Sequence, residues 1–367
     1  MITYIDLFAG AGGWEAGIKP LGWKCLGLYE WNEAACKTLE HNFSGEVHCV
    51  DLSKHDEINF PKVNVVIGSP PCQGFSNEGK KIKNDVRNSL VWSFIEIVKK
   101  INPDVWIFEN VPGFKRLYNG EYFHELEKKL QELDYKWSWS ILNASDYGVP
   151  QNRKRFVAIG SKVKQPLMPQ IKYSDSANLF QSKRKISFWE SISDLPIVSH
   201  GERNGEFEYS HKTTCEYQKL MRLDSNKVFN HTTQNHSERV LEKIRKVPVG
   251  GNMSHIVGNF DENKKHYEGG YRRAIKNTPS YTAYWTRGMT SIHPELDRFL
   301  SPRECARIQS FPDSVIFKGS TIQNYTQICN AVPPLLSKAI CESVVENELI
   351  KKNEHNTVYS ANVKRYE

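Results

Sequence analysis

The sequence contains no apolar run that approaches the roughly 18 residues of a transmembrane helix. A secretory signal begins with a basic segment followed by an apolar one. The first residues, Met-Ile-Thr-Tyr-Ile-Asp, do not show this pattern. We therefore expect a cytoplasmic protein with no membrane partner. The apolar fraction of 39% and the charged fraction of 25% are typical of globular proteins, and 367 residues are enough for about two domains.

The eight cysteines include no C-x-x-C pair, which argues against a zinc site and a thioredoxin-like redox motif. We expect free thiols and no metal. One of them, Cys72, follows an apolar run at 63–67 and two prolines that stiffen the loop at positions 70 and 71. Two interpretations of Cys72 are open: a buried thiol beside an ordinary turn, or a nucleophile presented past the end of a strand.

The dinucleotide fingerprint G-x-G-x-x-G is incomplete. Gly10 and Gly12 supply its first half, but Glu15 replaces the third glycine. Glu30 follows Gly10 by 20 residues, the spacing at which a carboxylate reaches a ribose hydroxyl in nucleotide-binding α/β folds. A nucleoside without a pyrophosphate is favoured over NAD or FAD, and a plain tight turn between a strand and a helix is the alternative.

Strand and helix patterns alternate through the first 160 residues. Apolar runs predict strands at 2–7, 25–29, 47–50, 63–67, 105–108, 136–142 and 156–159, and helical spacing predicts helices at 14–18, 32–41, 86–101 and 122–133. This alternation predicts a doubly wound, mainly parallel sheet, which binds ligands outside the carboxyl ends of its strands. Five residues follow or end such strands: Phe8, Glu30, Asp51, Cys72 and Glu109.

Residues 161–290 depart from this pattern. They hold 21 Lys and Arg against 13 Asp and Glu, an excess of eight that exceeds the net charge of +7 of the whole chain. A surface for a polyanionic partner and an ordinary solvated face are both compatible with this excess. Basic residues interleaved with aromatic ones suit phosphate contacts and base stacking.

These motifs, in this order, resemble those of the DNA cytosine-C5 methyltransferase family of bacterial restriction-modification systems. The resemblance implies a catalytic set of Cys72, Glu109, Arg153 and Arg155. It implies contacts with S-adenosylmethionine, and with the product S-adenosylhomocysteine, from Phe8, Ala9, Gly10, Gly12, Gly13, Glu30, Trp31, Asp51, Leu52, Pro70, Leu90, Asn330 and Val332. It implies DNA contacts from Gln73, Ser76 and Arg87.

The resemblance also implies the domain organisation. A Rossmann-like methyltransferase core, residues 1–160 with 320–350, would carry a smaller loop- and strand-rich target-recognition domain at 161–319 and a polar tail at 351–367. Ser301 and Glu304 predict a capping box at the start of a helix within the motif that organises the recognition domain. Cys329 stands where the family usually has glycine.

The implied activity is methyl transfer to C5 of a flipped-out cytosine in double-stranded DNA. Addition of the Cys72 thiolate at C6 would supply the electron density that C5 lacks. Glu109, partly protonated through burial, would assist at N3, and an N-cap or ion-paired acid is the alternative for this residue.

The expected protein is a monomer that protects host DNA, with a cognate restriction endonuclease acting on the same site without direct contact. Two alternatives are an RNA cytosine-C5 methyltransferase and a non-catalytic DNA-binding paralogue. The first usually carries a Cys-Phe-Thr tripeptide, which this chain lacks, and the second is expected to have lost Cys72, Glu109 or the arginines.

Overall fold

A computed structural model describes residues 1–71, 89–113, 115, 120–175, 182–252, 255, 271–284 and 291–351. The chain divides into two compact units. The first unit comprises Met1–Asn143, Lys154–Gln170 and the chain from Ser337 onward, and the second unit comprises Ala144–Arg153 and Ile171–Leu336. The domain boundaries given above, which follow the family resemblance, stay a prediction.

A seven-stranded sheet forms the centre of the first unit. Its strands are β1 Thr3–Leu7, β2 Lys24–Glu30, β3 Val47–Cys49, β4 Val65–Gly68, β5 Val105–Asn110, β6 Lys136–Asn143 and β7 Lys154–Ser161. Their order across the sheet is β3-β2-β1-β4-β5-β7-β6. The first five strands run parallel, and β7 lies antiparallel to both β5 and β6. The predicted α/β class with a mainly parallel sheet is confirmed.

Four helices of this unit follow the strands closely in sequence: α1 Gly13–Ile18, α2 Glu33–Asn42, α3 Ser89–Ile101 and α4 Glu121–Gln131. The apolar stripe of α3 packs on the sheet in one large core, with Val91, Phe94 and Val98 against Val66 and Phe108. Strands covered on both faces need continuous apolar runs, which is why Val65, Val66 and Ile67 are all fully buried.

The order of the strands explains where the site must lie. Strand β1 sits between β2 and β4, so the chain connections leave it toward opposite sides of the sheet. Such a reversal opens a crevice at the carboxyl edge of the strands. Leu7 pairs with Tyr29 and Gly68, and Gly68 pairs with Phe108, so the ends of four strands lie side by side at that edge.

The second unit contains short elements. Its described helices are α5 Phe188–Ile192, α6 Glu216–Arg222, α7 Glu238–Lys246, α8 Pro302–Ile308 and α9 Thr321–Asn330. Its strands are two residues long and form two pairs, β8 Tyr173–Ser174 with β9 Lys183–Arg184, and β10 Phe207–Glu208 with β11 Lys227–Val228. The capping box predicted at Ser301 and Glu304 is confirmed at the start of α8.

Buried ion pairs stabilise the second unit. The Arg307 guanidinium donates to the carboxylates of Asp194 and Asp313 at 2.7–3.2 Å. Arg298 makes two bonds of 2.8 Å to Glu304. All five side chains are buried. Charges placed this deeply need full pairing, because an unpaired charge in the interior is costly.

The last described helix, α10 Pro334–Glu346, begins in the second unit and continues in the first. On length and composition alone, Thr321–Glu346 could cross a membrane, although 72% of its most apolar window is buried inside the protein. The stretch consists of two helices, α9 and α10, with residues 331–333 between them. Burial of this kind is typical of core helices.

Candidate active site

The glycine loop after β1 has an unusual backbone. Phe8, Gly10 and Gly12 all have positive φ angles, of 62°, 54° and 79°. The two glycines tolerate this region freely, whereas Phe8 does so at an energetic cost. The Ala9 amide donates to the carbonyl of Tyr29 at 3.0 Å, which fixes the loop beside the end of β2. The loop therefore turns back over the carboxyl edge of the sheet before α1 begins at Gly13.

Glu30, at the end of β2, organises the next part of the edge. One carboxylate oxygen accepts from the Gly10 amide at 2.8 Å, and the other accepts from the amides of Trp31 and Asn32 at 2.9 and 2.8 Å. Burial raises the pKa of Glu30, and these backbone donors act in the opposite direction. Glu30 thus ties the glycine loop to the end of β2.

Trp31, Asp51 and Leu52 follow the ends of β2 and β3. The Trp31 side chain is 72% exposed, although large aromatic residues usually bury most of their surface. The Asp51 carboxylate accepts from the Ser53 amide at 2.9 Å and caps the short 3-10 helix Leu52–Glu57, whose first residue is buried. An exposed aromatic face and an exposed carboxylate are both available to a ligand here.

These residues fit a nucleoside cofactor. A Cβ added at Gly10 would meet no atom within 4 Å, so open space lies next to that backbone, whereas a Cβ at Gly12 would clash with the Phe43 ring. The acid Glu30, the exposed ring of Trp31 and the acid Asp51 line the ends of adjacent strands. Ribose hydroxyls and an adenine ring suit acids and an aromatic face of this kind.

The buried Glu109 forms an ion pair with the half-buried Arg155. Glu109 on β5 pairs with Val157 on β7, and Arg155 lies two residues from Val157 on the same face of the sheet. The distance from Arg155 Nε to Glu109 Oε1 is 2.8 Å. Burial lowers the pKa of Arg155, and the Glu109 carboxylate opposes this. The pair fixes the position of the Glu109 carboxyl group at the end of β5.

Pro70, Ser69 and Asn110 make contacts at the end of β4. Pro70 is buried, and its carbonyl accepts from the Asn110 side chain at 3.3 Å. The Trp14 indole donates to the Ser69 hydroxyl at 2.9 Å, which ties α1 to this strand end. Leu90 lies in the first turn of α3. The predicted Cys72, Gln73, Ser76 and Arg87 lie outside the described residues.

The second unit holds Arg153, Asn330 and Val332. The buried Arg153 guanidinium donates to the carbonyls of Cys329 and Ala331 at 2.7 and 3.1 Å. Arg153 therefore holds the turn on which Asn330, exposed, and Val332, buried, are carried. Their predicted contacts with the cofactor and the predicted catalytic role of Arg153 stay predictions.

Asp6 is a further acid at this edge that was not among the predicted site residues. It lies on β1 directly before the glycine loop, it is fully buried, and neither carboxylate oxygen has a hydrogen-bond partner. Burial raises its pKa well above the ordinary value, and the charges of Glu30 and Glu109 raise it further. An acid between apolar neighbours within a predicted strand is the sequence signal that marks it.

The sequence predicts free thiols and no metal site. Within the ranges that the structure describes, no group of three or more His, Cys, Asp or Glu side chains is arranged to hold a metal ion. The seven cysteines in those ranges are free. The described part of the site is therefore built from acids, an arginine, an aromatic ring and backbone amides.

Comparison with known proteins places this site in a family. Residues 2–346 match the model of the C-5 cytosine-specific DNA methylases. The chain belongs to this family. Among its relatives, the type II methyltransferase M.DdeI of Desulfomicrobium norvegicum is 33% identical over 94% of this chain and 88% of the relative. The type II methyltransferase M1.HphI of Haemophilus parahaemolyticus is 34% identical, with coverage of 94% and 87%.

Solved structures agree with this placement. A protein described as a DNA modification methyltransferase encoded within an E. coli prophage superimposes with a TM-score of 0.73 and 25% identity, covering 94% of this chain and 99% of its own. The Entamoeba histolytica methyltransferase EhMeth, at 17% identity and a TM-score of 0.60, shares the fold. This C-5 cytosine methylase is thus a DNA cytosine-C5 methyltransferase with the Rossmann-like core of its family.

Proposed function

We propose that the protein methylates C5 of one cytosine within a specific sequence of double-stranded DNA, using S-adenosylmethionine. The observation that carries the proposal is the arrangement of Glu30 and its glycine loop on one side of the buried Asp6, with the Glu109–Arg155 pair on the other. This arrangement supports a site for a nucleoside and a site for a reacting base at one edge of the sheet.

In this proposal the strand ends hold the cofactor. Gly10 leaves room for it, Glu30 and Asp51 offer acceptors to its hydroxyl and amino groups, and Trp31 offers an aromatic face. The cofactor supplies an electrophilic methyl group on a sulfonium. Asn330 and Val332 of the second unit are further proposed contacts.

The chemistry on the base would begin with Cys72. Its thiolate adds to C6 of a cytosine that has left the DNA stack, and the electron density moves toward C5. The protonated Glu109 carboxyl group would donate its proton to cytosine N3 as the thiolate adds, with Arg155 fixing the position of that carboxyl group. Loss of the C5 proton after methylation would then release the thiolate. Arg155 would also contact the O2 edge of the base, and Gln73, Ser76 and Arg87 the DNA around it.

The biological setting is proposed from the named relatives. Both are type II methyltransferases, which supports a role in protecting DNA from a cognate endonuclease that acts on the same site without contacting this monomeric protein. A DNA substrate supports a cytoplasmic location.

The test is expression in a host without cytosine-C5 methylation, followed by bisulfite sequencing of the host DNA. We expect C5-methylcytosine in one short sequence context, and none with Cys72→Ala. Absence of C5 methylation at every sequence, together with activity on transfer RNA in vitro, would favour the RNA-methylating alternative and contradict the proposal.

A further inference from the structure

Arg272 in the second unit has a guanidinium with no acceptor among the residues that the structure describes. Its carbon Cζ lies 3.5 Å from the centroid of the Tyr281 ring, and its Nε is buried without a hydrogen-bond partner. The side chain is half-buried and makes no ion pair with any residue that the structure describes. A guanidinium stacked on an aromatic face keeps its donors in one plane, directed away from the ring edge toward a further partner.

Arg272 differs in this respect from the other buried and half-buried arginines of the second unit. Six others are buried or half-buried in the described ranges, and each donates to a carboxylate or carbonyl oxygen: Arg153, Arg222, Arg273, Arg298, Arg303 and Arg307. The sharpest contrast is Arg222, which lies 3.8 Å from the Tyr209 ring centroid and also donates to Asp194 at 2.7 Å. Arg272 has the same stacking without the anion.

The backbone on both sides of this pair is fixed. Tyr271 has a φ of 53°, a costly conformation for an aromatic residue, and its ring packs edge-on against Phe299. The Arg272 carbonyl accepts from the Ile292 amide at 2.8 Å. Strained residues persist where the surrounding structure over-determines them, and they cluster at binding sites.

Tyr281 is held equally firmly. Its neighbour Ser280 donates its amide to the Pro150 carbonyl at 2.8 Å, and Thr282 donates its hydroxyl to the Asn152 carbonyl at the same distance. Two residues further on, the Ala283 amide donates to the Gln151 side chain at 3.0 Å. The backbone that carries the Tyr281 ring is therefore fixed on both sides, and the Arg272 guanidinium stacks on that ring without any ligand.

We propose that Arg272, stacked on Tyr281, reads a guanine in the methylated DNA sequence through the guanine N7 and O6 atoms. This inference rests on the proposed function. Guanine presents two acceptors in the major groove that match the two parallel donors of a guanidinium. Phosphate contacts set position without reading sequence, and flexible exposed side chains suffice for them. The half-buried, stacked guanidinium of Arg272 suits a contact with a base edge better than a contact with a phosphate.

The first experiment determines the methylated sequence of the wild type by bisulfite sequencing, then that of Arg272→Ala and Arg272→Lys. Because one bidentate contact discriminates between bases by about 5- to 150-fold, we expect both variants to methylate additional sites that differ at one guanine position. Arg272→Lys keeps the charge and loses the planar fork, so it reports on recognition even where alanine impairs folding.

Arg239→Ala is the matched control, since Arg239 is an exposed arginine of the same unit on α7, and its methylated sequence should not change. Thermal unfolding and S-adenosylmethionine binding are measured for every variant and should match the wild type. In the second experiment, 7-deazaguanine, which lacks N7, replaces the guanine at the relaxed position. DNA binding of the wild type should weaken, and that of Arg272→Ala should not weaken further.

An unchanged methylated sequence for both Arg272 variants would overturn the inference. A loss of DNA affinity that is equal for all sequences would also overturn it, because it would mark a phosphate contact. These outcomes are distinct from failure of the proposed function, in which the wild type itself leaves no C5-methylcytosine in DNA.

Discussion

Arg155 Nε and Glu109 Oε1 lie 2.8 Å apart, and the two side chains are only 11% and 8% exposed. The pair joins two antiparallel strands at the edge where the cofactor residues also end. The pair links the stability of the first unit to its proposed chemistry, because Arg155 holds Glu109, the residue that would act on the base.

Removing one partner of this pair should destabilise the protein. Arg155→Ala leaves a buried carboxylate without its cation, for which we expect a loss of roughly 3–5 kcal/mol in the free energy of unfolding. Adding Glu109→Gln to that variant should recover part of the loss. Urea unfolding of the two single variants and the double variant measures the coupling, and strictly additive losses would argue against a pair that matters to stability.

Glu109→Gln alone should reduce catalysis more than binding. The amide cannot give up a proton to cytosine N3, so we expect the methylation rate to fall by about 100- to 10,000-fold. DNA and cofactor affinities should stay near those of the wild type. Single-turnover methylation with labelled cofactor and a gel-shift assay measure the two effects, and a variant of unimpaired rate would exclude Glu109 from the reaction.

The two glycines of the loop should respond differently to alanine. In Gly10→Ala the new methyl group enters open space, so the cost in stability is that of the positive φ angle, roughly 1–2 kcal/mol. Cofactor affinity should nevertheless fall at least about tenfold, because that space is where the ligand is proposed to bind. In Gly12→Ala the methyl group also meets Phe43, so the loss of stability should be larger. Calorimetric unfolding and titration with S-adenosylhomocysteine test both variants, and unchanged affinity in Gly10→Ala would contradict the proposed site.

His293 should make stability depend on pH. Burial lowers its pKa from 6.5 to about 4, and its Nδ1 accepts from the amides of Glu295 and Leu296 at 3.1 and 3.0 Å, which requires a neutral ring. Between pH 6.5 and about 4 the unfolded chain binds the extra proton. Stability is therefore fully present above pH 6.5 and falls by up to about 1.4 kcal/mol per pH unit as the pH is lowered.

The matched variant is His293→Asn, whose side-chain oxygen can accept the same two amides without titrating in this range. We expect a shallower decline of the unfolding free energy between pH 6.5 and 4 than in the wild type. Equal slopes for the two proteins would show that His293 is not the group responsible. Urea unfolding at half-unit pH steps provides the slopes.

Arg307 should be essential to the second unit. Arg307→Met leaves Asp194 and Asp313 buried with reduced pairing, and we expect a loss of roughly 3–5 kcal/mol. The comparison variant is Arg245→Ala, which removes an exposed pair with Glu238 and should change stability little. Thermal unfolding of both variants decides the matter, and similar melting temperatures would contradict the importance assigned to burial.

Much of the first unit is predictable from the sequence, because strands covered on both faces require continuous apolar runs. The predicted strand 63–67 is observed as Val65–Gly68, and the predicted strand 105–108 as Val105–Asn110. The strand order could not be predicted, because alternation along the chain does not reveal that β7 lies antiparallel between β5 and β6.

Individual residues of the site could be predicted from the sequence, but their interaction partners could not. Glu30 and Glu109 mark themselves as acids that end apolar runs. The partner of Glu109 depends on the register of β7, and the acceptors of Arg153 lie 176 and 178 residues away in sequence. The environment of Asp6 could not be predicted, because nothing local shows that its two oxygens would remain without a partner. Contacts of this range arise only when the sheet and the second unit have formed.

The central claim is that Cys72 attacks C6 of a cytosine in DNA, and a mechanism-based trap tests it most directly. DNA carrying 5-fluorocytosine in the methylated sequence, incubated with the protein and S-adenosylmethionine, should yield a denaturation-resistant adduct, since fluorine at C5 prevents release of the thiolate. Mass spectrometry of the digested adduct should place the base on Cys72. A protein that methylates ordinary DNA without forming this adduct, or an adduct on any other residue, would contradict the account.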